Sequence, residues 1–198
     1  MAWNKYYVFV KAPESNDLDA LLTSLGLGHY KPVEEVPLHD SNKPKTLFAG
    51  FYQGNLLLVH PDLAFHFFGE GQSETEQLFT QTFPGKEIAA LIENSTVGLF
   101  GYAVLEDGHK IRMKDGADGE IYHDAGELLP EEQEILAEEI FGEEELDEMR
   151  EDGMSEEEVQ AMVSFEASWR VPNLLSARYL GEPVGAIDTA QVMLTRYV

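Results

Sequence analysis

The chain contains no cysteine among its 198 residues. That single absence removes a disulfide framework, a thiolate zinc site, an iron–sulfur cluster and a cysteine nucleophile. Positive charge is also scarce. Only 13 Lys and Arg face 37 Asp and Glu, for a formal charge of −24. Nucleic acid and anionic lipid bind mainly through cationic contacts, so this composition argues against both as partners. It favours cations and basic proteins instead, most strongly at low salt. Long apolar runs are missing as well. The stretch from Tyr6 to Val10 is shorter than a signal-peptide core and meets Lys11 and Pro13 at once, and nothing approaches the ~20 apolar residues of a membrane span. The expectation is a cytoplasmic protein that does not enter a membrane.

Catalytic and cofactor motifs are absent too. The chain has no GxSxG, no P-loop, no GxGxxG after a strand and no HExxH, so no cofactor is implied. The turn from Asp115 to Glu120 fails as a calcium loop, because with Gly119 as the required glycine the first and third ligand positions would be Lys114 and Gly116.

What is present is an ordinary globular core composition, 43% hydrophobic and 11% aromatic. Residues 1–125 alternate short β-rich runs with helical patterns. Tyr6–Val10 reads as a strand buried on both faces. Leu18, Leu21, Leu22 and Leu25 repeat at helical spacing and stop at Gly26. Lys31–Lys45, with three prolines and no period, reads as a loop. Two apolar runs around Gln53-Gly54-Asn55 predict a hairpin, and Asp107-Gly108 predicts a second. The turn at Asp118-Gly119 adds a third strand through Glu120–His123. Ser73 and Glu76 form a capping box for a helix that Pro84 ends, and a short helix is expected over Glu87–Glu93. Pro130 suits the first turn of a helix whose apolar stripe runs through Ile135, Leu136, Ile140 and Phe141. A second capping box at Ser155 and Glu158 opens another helix. After Pro172, a short helix over Leu174–Leu180 and a strand over Gln191–Val198 complete the reading. The expected architecture is a single α+β domain over 1–198. It is an antiparallel sheet built of hairpins with helices on one side, carrying an acidic helical segment at about 127–170.

Three groups of residues carry the functional readings. His60, Asp62 and His66 offer two imidazoles and a carboxylate, a donor set for a metal-assisted hydrolase. Their spacing does not enforce convergence, and the plainer reading is a strand entering a short aromatic helix. His123 and Asp124 are adjacent in a strand and point to opposite faces, so they do not orient each other. Arg112, one of few cations, sits mid-strand. Its two fates are an internal salt bridge or contact with a partner. Phe48 and Tyr52 share one hairpin face and Phe51 takes the other. That face fits either a two-layer core or an aromatic contact surface including Tyr52.

The acidic segment holds the runs Glu143-Glu144-Glu145 and Glu156-Glu157-Glu158, with Arg150 as the one cation between Glu127 and Glu158. Such a run either solvates a helix face or recruits a basic protein. The functional expectation is a non-catalytic interaction module, an acidic antagonist of a basic protein, using Glu143, Glu144, Glu145, Arg112 and Tyr52. The alternative is the small hydrolase. Self-repulsion gives a direct test of the charge excess. The melting temperature at neutral pH should rise as sodium chloride goes from low to moderate concentration, because the Debye length shortens to about 8 Å. A flat or falling trend in a thermal scan would mean the acids are already paired.

Overall fold

A computed structural model describes residues 4–198. The strands are β1 (Asn4–Val10), β2 (Pro32–Pro37), β3 (Leu47–Tyr52), β4 (Asn55–Val59), β5 (Ile88–Asn94), β6 (Leu99–Glu106), β7 (His109–Ala117), β8 (Glu120–Gly126) and β9 (Met193–Tyr197). The helices are α1 (Leu18–Ser24), α2 (Pro61–Phe65), α3 (Glu74–Thr82), α4 (Pro130–Leu136), α5 (Glu143–Glu151), α6 (Glu156–Leu175) and α7 (Ala177–Leu180). All nine strands form one antiparallel sheet in the order β2-β9-β3-β4-β1-β5-β6-β7-β8. The protein is α+β, built of hairpins as its turns predict. Gln53-Gly54, Asp107-Gly108 and Asp118-Gly119 each place two residues at positive φ, the geometry that twists a tight hairpin correctly.

Strand alternation sorts the core into two layers. Tyr7, Phe9, Leu57, Leu91, Tyr102 and Val104 face one side, where they meet Leu129 just before α4, Ile135 within it, Ala167, Val171 and Leu175 of α6, and Tyr179 of α7. Val8, Val10, Leu58, Ala90 and Ala103 face the other, against Leu21 and Leu22 of α1, Leu63 of α2 and Phe79 of α3. Helices therefore cover both faces, not one. The difference follows from the central strands, where consecutive residues such as Phe9 and Val10 are both apolar and need cover on either side. Phe48 and Tyr52 pack toward the α6 layer and Phe51 toward the opposite one, in agreement with their alternation.

Two further expectations change. Ile88–Asn94 is the strand β5, not a helix: its five leading residues are all buried, and such a run carries neither period. Pro32–Pro37, expected within a loop, is the edge strand β2, a position that tolerates proline. The helical stripe from Pro130 also stops early, at Leu136, and Pro172 lies inside α6 instead of ending it. Among the described residues no helix is long and apolar enough to cross a membrane.

Candidate interaction surface and the ion pairs that hold it

The acidic segment begins where β8 leaves the sheet, and two arginines fix that departure. Arg112 on β7 is only 1% exposed. Its Nε donates to Glu132 Oε2 at 2.8 Å and its Nη2 to Glu132 Oε1 at 2.7 Å, a forked pair. Its Nη1 donates to Asp124 at 2.6 Å and to the carbonyls of Ala125 and Gly126 at 3.0 and 3.4 Å. Glu132 is filled in turn: Tyr102 Oη donates to it at 2.7 Å and the Leu129 amide at 2.9 Å. Burial alone would lower the Arg112 pKa, but the hydrogen bonds it donates to Glu132 and Asp124 raise it, so the guanidinium stays charged. Burial likewise raises Tyr102, reinforced by Glu132, and keeps its hydroxyl a donor.

The neighbouring carboxylate takes a second arginine. Arg178 of α7 donates to Glu131 through Nε at 2.5 Å and Nη2 at 2.6 Å, and through Nη1 to Glu87 at 3.2 Å. Tyr179 Oη also donates to Glu87, at 2.7 Å. Successive residues in the first turn of α4 are thus held from two directions, and both acids also suit a helix N-terminus.

This geometry corrects the role offered for Arg112 as a partner contact. The side chain is inside the protein, in the internal salt bridge that was its other fate. Nothing in the sequence marked Glu132 as its mate, 20 residues away.

Between α4, α6 and the sheet lies a cavity of about 70 Å³. Tyr102, Lys114, Glu132, Ser164 and Ser168 give it polar walls, and Leu128 and Leu136 line it while remaining 47% and 53% exposed. Beyond it, α5 has no buried residue. Glu143 and Glu144 stand exposed on its first turn, without an ion pair among the described residues. Glu145 is different, because it accepts the Gly142 amide at 2.9 Å and caps the helix. Arg150 is drawn to Asp147 and Glu156. Tyr52 lies elsewhere, half-buried beside a depression of about 380 Å³ lined by Gln53, Leu180 and Glu182, so the expected site residues do not form one constellation.

A profile of a protein family matches residues 11–153. The chain belongs to DUF6928, a family of unknown function. Neither the curated proteins nor the solved structures contain a match to it. The DUF6928 match begins at the end of β1 and ends just past α5, so it contains Arg112, Asp124, Glu131 and Glu132 but not Arg178.

The histidines are placed as structural groups. His60 caps α2, its Nδ1 accepting the Leu63 amide at 3.4 Å and its Nε2 lying 3.2 Å from Tyr30 Oη. His66 ends the same helix and pairs with Thr75 at 2.6 Å. Among the described residues, no group of three or more His, Asp or Glu is arranged to hold a metal ion. His123 turns not to Asp124 but across the strand pair to Asp115, at 2.7 Å. Asp124 goes to the opposite face, as the alternation requires.

The buried pair generates a stability prediction. Arg112→Met strands Glu132 without its cation, and this should cost about 3–5 kcal/mol in urea unfolding. The double variant Arg112→Met/Glu132→Met should recover a substantial part of that loss. A single-variant cost below about 1 kcal/mol would show that the pair contributes little.

His60 generates a second, in pH. Burial lowers its pKa below the ordinary histidine value. Above the unfolded value both states are neutral and stability does not respond. Below it the unfolded chain takes the proton first, so stability falls as pH drops until the folded pKa is passed. Unfolding between pH 7.5 and 5.5 should show a loss that His60→Gln reduces. Equal losses in both proteins would remove His60 from the account.

Proposed function

We propose that the protein is a non-catalytic interaction module whose acidic α5 and neighbouring helices engage a basic protein partner. The observation that carries this reading is α5 itself. A helix that buries none of its residues contributes little to the core, yet it presents Glu143, Glu144, Glu148 and Glu151 with Arg150 as its one cation. The acids needed internally are already used: Glu131 and Glu132 hold the arginines, while Glu145 and Glu158 cap helices. The remainder form a field that attracts cations before contact. Leu128 and Leu136, half-exposed beside the cavity under α4, supply apolar anchors of the kind that control dissociation.

The internal bond of Glu145 sharpens the test. Glu143→Gln/Glu144→Gln removes two charges without touching a cap. The basic protein recovered on the full-length chain should associate with this variant several-fold more slowly at low salt, on the order of threefold to tenfold, with a shallower salt dependence. Stopped-flow mixing measures both. An unchanged association rate would make the acids of α5 a solvated face and nothing more.

A further inference from the structure

The two ends of the sheet's last strands build a second feature, separate from α5. β6 and β8 run in the same direction, since each is antiparallel to β7. Val104 pairs with Arg112, and Arg112 with Gly126, so Glu106 and Glu127 emerge at the same end of the sheet. Two strand spacings, roughly 10 Å, separate their strands. Between them lies a groove of about 680 Å³, lined by Glu106, Ile111, Glu127, Leu128, Pro130 and Arg178, with Gly126 and Leu129 completing its wall.

Two backbone irregularities shape this groove. The β6–β7 ladder skips Ile111: Leu105 pairs with Lys110 and Val104 with Arg112. That bulge leaves Ile111 packed toward the same layer as Arg112, where it forms part of the floor. Gly126 then lets β8 leave the sheet. It has φ +92°, and a Cβ there would collide with the Ile111 carbonyl oxygen. Bulges of this kind re-aim side chains, and here one lays an aliphatic surface between two carboxylates.

The charge of the groove is settled by pairing. Arg178 is held by Glu131 and Glu87, and Lys11 also approaches Glu87, at 3.6 Å. Those four charges cancel. Glu106 and Glu127 remain, exposed and with no ion pair among the described residues, above Ile111, Leu129 and Pro130. An aliphatic stem that ends in a cation matches this surface: the methylenes cover the apolar floor and the head meets the carboxylates.

We infer that this groove receives a lysine or arginine side chain presented by a basic protein partner. The assignment shares the charge logic of the proposed function, and Leu128, but uses different carboxylates, so either can fail alone. A second copy of this chain is a poor occupant, because two molecules of −24 repel.

The test is an NMR titration of the full-length, methyl-labelled protein, using a capped Gly-Ser peptide with one central lysine. Its norleucine counterpart and free spermidine serve as the two controls. The lysine peptide should shift the Ile111, Leu128 and Leu129 methyls saturably, and the norleucine peptide should not. Glu106→Gln/Glu127→Gln should weaken the binding at least tenfold, whereas Glu143→Gln/Glu144→Gln should leave the shifts in place. These acids lie on the surface, and an unchanged methyl spectrum without ligand confirms that each variant is folded. Shifts spread along α5 and insensitive to Glu106 and Glu127 would overturn the inference. Saturation by spermidine with no response to the lysine peptide would overturn the protein source, and assign the groove to free polyamines.

Discussion

Arg112 cannot leave water cheaply, and the structure around it is the set of groups that make its burial tolerable. A lone guanidinium in this layer would cost several kcal/mol. The forked bond to Glu132, the bond to Asp124 and two carbonyls at the end of β8 supply the compensation. These partners come from two stretches, the last residues of β8 and the first turn of α4, joined by a short connection whose Leu129 amide bonds Glu132. Satisfying one cation therefore dictates the path of the chain from 124 to 132. Everything downstream inherits that direction. The helix α4 cannot start elsewhere without stranding Glu132, and Arg178 fixes it from the other side through Glu131.

The same constraint explains why so acidic a segment stays folded against the sheet. Its first acids are neutralised inside, where attraction is strong and screening weak. Its later acids need only solvent, a cap, Arg150 or Arg170. Phe165 and Trp169 add an apolar hold on α6, packing edge-on to Phe100 at 5.3 and 6.3 Å. The segment is thus tied down at its two ends, by ion pairs at α4 and by the lower half of α6. In between, α5 remains unburied.

Local chemistry made much of this fold legible. Ser73 with Glu76 and Ser155 with Glu158 cap helices as their spacing announces, and the glycine turns sit where positive φ is needed. Features set by distant partners were not legible. Ile88–Ile92 has no period because both of its faces are covered, so nothing local distinguished strand from helix. The sequence of Pro32–Pro37 looks like a loop until β9 arrives to pair with it. The site behaves likewise. The exposed acids of α5 are visible as a run, but the distinction between Glu144, which is free, and Glu145, which caps, depends on the backbone of Gly142. Arg112 was conspicuous as a cation, whereas Glu132 was one acid among many.

The position of β9 has a consequence for synthesis. This strand fills the gap between β2 and β3, and it is made some 140 residues after β3. While translation proceeds, β3 offers an open edge and β2 has no ladder to join. The sheet face that α6 covers, including Phe100 and Val104, is also bare until α6 has emerged. A nascent chain in that state is a template for wrong pairing and a substrate for chaperones that hold apolar β-surface. The strands from β3 to β8 can pair as they are made, but β2 joins the sheet only once residues 193–197 have emerged to pair with it.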